Sequence, residues 1–370
     1  MRNAVAAWRR RDTFFAADVS YLVVHLGVVA AIAFANLFTH HGLVHHLSTW
    51  DGAWFLQALY NGYPSHLVYV HGQVQASPIA FFPLMPQVMR FGHDITRLSP
   101  PVVGLIVSFV TGLTATRGVG RLAEHVRDTN VGQKAALLFA LTPGAFTFNL
   151  IYAEGILLTC MTFGIIALRE RRWLRAGLLG LIASTASPVA AVYVVVCAVV
   201  ALRAIATRRD WRSLLAPALA PLGGIGWVAF LWVHTGTPFA WQLTERGGWQ
   251  SYPTLRYPFD ILWQFLHNPI SPTLTGHILF WGTVVGALGV WWCFKTRQPL
   301  ELLTYITVAF TLFAVSLPVG LRPRFVMLLF PAVIAAAELP AKRYRWVLGL
   351  SSIVMLLFLY EELTSFAVFP

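Results

Sequence analysis

One acid, Asp51, stands in the stretch TWDGAWFLQALYNGYP at residues 49–64, among Trp50, Trp54, Phe55, Tyr60 and Tyr63. It follows directly on a hydrophobic run. A carboxylate held there among rings is placed to take a proton from a hydroxyl, as a general base. A second reading makes it a first-turn acid on a short interfacial helix, capped by Ser48 or Thr49 and favoured by the helix dipole. Trp and Tyr also crowd membrane interfaces with no chemistry attached.

Two cations answer this acid further along the chain. In GLRPRFVMLLFPAV, Arg322 and Arg324 flank Pro323, a residue well suited to open a helix. Two guanidiniums and a helix N-terminus pointing at one place make an anion site, and phosphate is the natural anion at a lipid surface. The alternative is two arginines snorkelling to headgroups.

Glu154, in NLIYAEGILL, lies between two apolar runs. An acid so close to hydrocarbon is either functional or the first-turn cap of the following helix. FAWQLTERGGWQ at 239–250 offers Gln242, Arg246 and Trp249, residue types that stack on and hydrogen-bond a sugar or anchor an interface. His40, His41, His45 and His46 have no paired acid at matching spacing, so no metal is expected. Cys160, Cys197 and Cys293 lie inside apolar runs as small core residues.

The elements that position these groups follow from composition. The chain of 370 residues is 57% hydrophobic and 11% charged, against about 25% charged in soluble domains. Long continuous apolar runs exclude a β-barrel and predict an all-α polytopic membrane protein. About eleven spans are expected: 19–39, 100–116, 135–151, 153–168, 176–187, 189–204, 214–232, 275–294, 301–318, 324–338 and 346–360. The fifth and sixth meet at Ser187-Pro188 and are read either as full crossings or as a re-entrant hairpin. On this layout 21 of the 27 basic residues fall on one side, which marks that side as cytoplasmic. The +12 net charge then reflects topology and does not point to nucleic acid. Two long loops, about 40–99 and 233–274, lie on the opposite, non-cytoplasmic face and carry short amphipathic pieces. In DILWQFLHN, for example, Ile261, Leu262, Phe265 and Leu266 form one stripe. No domain boundary divides residues 1–370. Arg outnumbers Lys 24 to 3, a bias of GC-rich genomes. The expected location is therefore a bacterial plasma membrane with the site facing outward, or the ER membrane with a luminal site in a eukaryote.

Taken in order, TWDGAWFLQALYNGYP, AFFPLMP at 80–86 and LTPGAFTFNLIYAEG at 141–155 resemble the PIG-V mannosyltransferase family of GT-C glycosyltransferases, which includes GPI mannosyltransferase 2 and bacterial relatives. TGTPFAWQLTERGGW at 235–249 resembles the corresponding outer loop of the bacterial members, and the match runs over roughly 45–260. The resemblance implies a GT-C-like fold and transfer of mannose from a polyprenyl-phosphate donor to a glycolipid or glycan acceptor, with no cofactor. It places the family's Trp-Asp pair on Trp50-Asp51 and its Tyr-Ser-Glu on Tyr152-Ala153-Glu154. The family arginine expected in STASPVAA at 184–191 is missing. Combined with the residue reading, it implies Asp51 as base, Arg322 and Arg324 on the donor phosphate, and Trp50, Trp54, Tyr63, Glu154, Gln242 and Trp249 around sugar and acceptor. The rival from another class is a transporter or flippase for a lipid-linked sugar. Against it, no internal hydropathy repeat is visible, and the ionisable residues gather at one face instead of the midplane.

Overall fold

The computed structural model describes residues 2–37, 44, 47–269 and 273–364. Among the described residues seventeen α-helices, numbered here in chain order, carry the architecture. A long first helix, α1 (Arg2–Asn36), leads to the first outer segment. That segment holds α2 (Asp51–Asn61), the hairpin β1 (Tyr69–Val70) and β2 (Gln73–Val74), and α3 (Leu84–Thr96). The bundle continues with α4 (Pro100–Val126), α5 (Thr129–Ala140), α6 (Glu154–Arg169), α7 (Trp173–Ala186), α8 (Ala191–Arg208), α9 (Leu215–Leu219) and α10 (Leu222–Thr235). The second outer segment holds α11 (Ala240–Gly248), β3 (Tyr252–Pro253) and α12 (Tyr257–His267). The chain closes with α13 (Leu274–Lys295), α14 (Leu300–Val315), β4 (Ser316–Leu317), α15 (Pro323–Leu328), α16 (Phe330–Ala337) and α17 (Ala341–Thr364).

Among the described residues six helical stretches are long and apolar enough to cross a membrane, and Trp173–Ala186 and Leu300–Val315 are shorter apolar helices. About eleven spans were expected, and three of those are not continuous helices: 214–232 divides between α9 and α10 at Ala220-Pro221, and two others break more sharply. The run 135–151 stops at Ala140, because Pro143 supplies no N–H to a helical ladder. The following backbone is irregular yet satisfied. Ala145 N–H donates to Thr142 O at 2.9 Å, Tyr152 N–H to Ser108 Oγ at 3.1 Å, and Asn149 Nδ2 to His25 O at 3.2 Å. Non-helical backbone at membrane depth is tolerated only where protein supplies such partners. The run 324–338 breaks at Leu329, just before Pro331, into the six-residue α15 and the eight-residue α16.

The central core is built by α4, α5 and α6, with Tyr21, Leu122, Phe139, Phe148, Leu158 and Ile165 buried among them. Lipid tails are as apolar as these side chains, so close fit rather than hydrophobic transfer holds the helices together.

The two outer segments form one cap over one end of the bundle. Trp241 Nε1 donates to Ala80 O at 3.1 Å. A Cβ on Gly248 would lie 2.5 Å from Ala76 N, so only glycine permits this approach. Residues of β3 pair antiparallel with β4, Tyr252 opposite Leu317 and Pro253 opposite Ser316, and Thr254 N–H donates to Val315 O at 2.7 Å. The cap is thereby tied to the strand that leads into Arg322 and Arg324. On α12 the expected stripe divides. Ile261 is buried and Phe265 stacks on Phe280 at 3.7 Å, while Leu262 and Leu266 face outward beside exposed Phe259 and Trp263. The outer apolar face suits a helix lying in a membrane interface.

Candidate functional site

Three charged side chains from distant parts of the chain meet beneath the cap. Asp51 enters on the first turn of α2, Glu154 on the first turn of α6, and Arg324 just inside α15. Arg324 Nη1 donates to Asp51 Oδ2 at 2.7 Å and stands 3.8 Å from Glu154 Oε1. The three side chains are 27%, 12% and 18% exposed for Asp51, Glu154 and Arg324. They are therefore shielded enough that salt screens the pair far less than a surface ion pair. The guanidinium also lies 4.6 Å from the centre of the Phe325 ring and 5.3 Å from that of Tyr152, both cation–π distances. Its Nε is buried and makes no hydrogen bond among the described residues. One edge of the fork is thus engaged and another donor is unspent.

Local sequence explains each placement. The N-cap position of α2 is Trp50, which makes no side-chain capping bond. Ser48 Oγ donates back to Val44 O, so the expected capping role of Ser48 is not realised. Trp50 instead turns the chain into the helix at φ 56°, a conformation that costs a bulky residue on the order of 1–3 kcal/mol and gathers at functional sites. Phe239 enters α11 at φ 60° in the same way. Glu154 opens α6 because the irregular segment ends there, and a first-turn acid complements the helix dipole. The dipole argument for Arg322 and Arg324 does not hold, since the helix that Pro323 opens is only six residues long. What positions Arg324 is close packing: a Cβ on Gly144 would lie 2.3 Å from Pro323 O and 2.7 Å from Arg324 Cα.

Gly144→Ala is expected to push Arg324 off Asp51 and lower activity by roughly tenfold to a hundredfold, with the protein still inserted and monodisperse. Steady-state activity assays beside size-exclusion profiles check this. Wild-type rates would show that the close approach is not needed.

The other expected site residues divide. Trp54 stacks on Phe81 at 5.8 Å and meets Trp249 edge-on at 5.2 Å, one turn along α2 from Asp51. Trp50 packs against the cluster that holds Tyr152, Phe146 and Leu150. Arg322 lies within electrostatic reach of Asp51, Arg324, Tyr152 and Tyr257. Tyr63 is not brought to the charged centre. It packs edge-on against Trp227 at 4.6 Å in a separate cluster under the cap, where burial pushes its hydroxyl pKa up. Gln242 is exposed on α11, and Arg246 sits over the Tyr252 ring. His40, His41, His45 and His46 lie outside the described residues.

Glu245 is the functional candidate that sequence reasoning missed. Helical spacing offered a signal, because Trp241, Glu245 and Trp249 recur every four residues and share one face of α11. Trp241 docks on Ala80 and Trp249 joins Trp54, so Glu245 is carried inward between them. Burial pushes its carboxyl up to about 7, and the Asp51 charge adds to the rise. Arg324 and a Ser251 hydrogen bond oppose it. Glu245 is therefore protonated below neutrality and gains a negative charge as pH rises through about 7. That charge repels an anionic substrate near Arg324. We expect KM for such a substrate to rise several-fold from about pH 6 to 8 and Glu245→Gln to flatten the rise. A profile unchanged by the substitution would remove Glu245 from the site.

No family model matches the sequence, and no curated protein does. Solved structures do match in shape. ArnT from Cupriavidus metallidurans bound to undecaprenyl phosphate is 16% identical with a TM-score of 0.53, covering 90% of this chain and 63% of its own. The Archaeoglobus fulgidus oligosaccharyltransferase in its apo form is 12% identical with a TM-score of 0.47, covering 91% of this chain and 56% of its own. This chain thus spans less than two thirds of the length of either. The likeness to ArnT shows a GT-C-type fold extending over nearly the whole chain.

Proposed function

We propose that the protein is an integral membrane glycosyltransferase that moves a sugar from a polyprenyl-phosphate donor to an acceptor hydroxyl on the non-cytoplasmic face. The observation that carries this reading is the shielded contact of Asp51, Arg324 and Glu154 at a bundle end covered by aromatic loops. An acid and a guanidinium side by side supply the two things such a transfer needs. The acid takes the proton of the attacking hydroxyl. The cation neutralises the departing lipid phosphate, which then leaves without a general acid. Attack from one face with departure from the other inverts the anomeric carbon, as in an inverting glycosidase with an alcohol replacing water.

Within this scheme Asp51 is the base. Arg324 and Arg322 hold the donor phosphate, and the unspent Nε of Arg324 supplies a donor that the Asp51 pair does not use. Trp54 and Trp249 give the sugar a stacking wall, Trp50 and Glu154 complete it, and Gln242 meets the acceptor from the rim of the cap. The resemblance of Trp50-Asp51, Phe81-Phe82-Pro83 and Tyr152-Ala153-Glu154 to the PIG-V family favours mannose as the sugar and a glycolipid or glycan as acceptor. The bound undecaprenyl phosphate of ArnT supports a polyprenyl carrier.

Purified protein incubated with radiolabelled polyprenyl-phosphate mannose and candidate acceptors tests the proposal. Transfer or slow hydrolysis of the label is expected. Exchange of intact donor between vesicle leaflets without bond cleavage would favour a flippase and overturn it.

A further inference from the structure

A second charged site lies at the other end of the bundle. Helix α6 begins at Glu154 and ends at Arg169, so its far end stands about 24 Å along the bundle from the catalytic candidate. There a cavity of about 440 Å³ opens between the ends of α4, α6 and α8 and the starts of α7 and α14. The charge asymmetry puts this end in the cytoplasm. Arg169, Arg171, Arg203 and Arg208 line the cavity against two acids, Asp210 and Glu301.

Both acids are already engaged. Glu301 pairs with Arg169, and Asp210 Oδ2 accepts the Trp173 indole N–H at 3.0 Å. Arg171, Arg203 and Arg208 make no ion pair among the described residues, and the buried Arg169 Nε has no hydrogen-bond partner among them. Each position is fixed by its local backbone. Arg171 occupies a left-handed turn at φ 56°, where Arg171 N–H donates to Leu168 O. Arg203 and Arg208 lie on the last turns of α8, with Thr207 Oγ1 donating to Arg203 O at 2.7 Å. Leu168, Val200 and Ala204 add apolar lining.

Arginines at helix C-termini also offset the helix dipole, and single ones snorkel to headgroups. Those roles spread cations around a rim. Here Arg169 and Arg171, at the α6–α7 turn, and Arg203 and Arg208, at the end of α8, line one concavity, which is the form of a pocket for a phosphate-bearing headgroup. We propose that this cavity binds a phosphate ester at the cytoplasmic end of the bundle. The ester is either the headgroup of an anionic phospholipid or a soluble phosphate. Exposed Leu174, Leu202 and Trp211 beside it give an acyl chain apolar surface to follow.

Two measurements on the full chain distinguish the sources. Native mass spectrometry after exposure to phosphatidylglycerol or phosphatidylcholine reads a retained lipid. Thermal denaturation in phosphatidylcholine nanodiscs, titrated with inorganic phosphate, reads a soluble anion. Preferential retention of phosphatidylglycerol supports the site and assigns it to lipid, while stabilisation by phosphate supports it and assigns it to a soluble ester. In either arm R203Q/R208Q is expected to weaken the effect by roughly tenfold or more, and R203K/R208K to keep most of it. Should R203Q/R208Q not yield monodisperse protein, R171Q on the exposed turn carries the same test. Absence of both effects, or effects indifferent to these substitutions, overturns the proposal.

Discussion

Asp51→Asn is expected to cut turnover by roughly 10²- to 10⁴-fold, the usual worth of a general base, while donor binding stays close to wild type. The asparagine amide keeps the shape of the carboxylate and still offers an oxygen to Arg324 Nη1, now 2.7 Å from Asp51 Oδ2. The arginine therefore has reason to stay in place, and only the basic lone pair is lost. Asp51→Glu is expected to be nearly as poor, because one methylene displaces the oxygen by about 1 Å. A purely structural acid that anchors Arg324 predicts another pattern: donor KM would change while turnover at saturating donor held. Turnover of Asp51→Asn near wild type, with protein equally abundant and monodisperse, would return Asp51 to that anchoring role.

Arg324→Ala should have the second largest effect, on two quantities at once. Donor KM is expected to rise and turnover to fall by at least about 10²-fold, as when a single preorganised anion donor is removed. The change also leaves Asp51 and Glu154 facing each other's charge without the shared guanidinium between them. Stripping one partner from a half-buried pair costs less than the roughly 3–5 kcal/mol of a fully buried one, and the thermal midpoint should still drop. Adding Glu154→Gln should recover part of that drop but none of the activity. Arg324→Lys should rescue only partly, because a single ammonium cannot contact a carboxylate and a phosphate in the bidentate manner of a planar fork. Arg322→Ala should be milder, since it leaves the 2.7 Å contact between Arg324 Nη1 and Asp51 Oδ2 in place. Unchanged donor KM in Arg324→Ala and in the Arg322→Ala/Arg324→Ala double variant would eliminate the phosphate site.

Much of the frame was legible because membrane insertion leaves few options for backbone and charge. Apolar runs became helices, and Pro323 opens a helix where its ring geometry favours one. Glu154 stands on a first turn where an acid is welcome. The pairing of Asp51 with Arg324 was not legible, since 273 positions separate them and nothing local to either residue encodes the other. The interruption after Ala140 was hidden for a related reason. LTPGAFTFN is apolar enough to read as a span, and only distant partners such as His25 O and Ser108 Oγ make its irregular backbone tolerable. Tyr63 misled because an aromatic close in sequence to Asp51 leaves on the far side of α2 and packs on Trp227 instead. Glu245 was overlooked beside more conspicuous neighbours, although the four-residue spacing of Trp241, Glu245 and Trp249 marked its face.

The way the cap is assembled bears on how such a protein can be re-engineered. Its two outer segments are interlocked by the Trp241 indole on Ala80, by Gly248 lying against Ala76, and by the Trp54, Phe81 and Trp249 rings. The β3–β4 pair fastens the second segment in turn to the chain leading into Arg324. A chimera that imports residues 233–274 alone would set foreign side chains against the native Ala76–Phe81 surface and pull on the strand that leads into the arginines. Exchanging the recognition surface between related proteins therefore means transplanting both outer segments together with the 316–324 connection, as one inherited module.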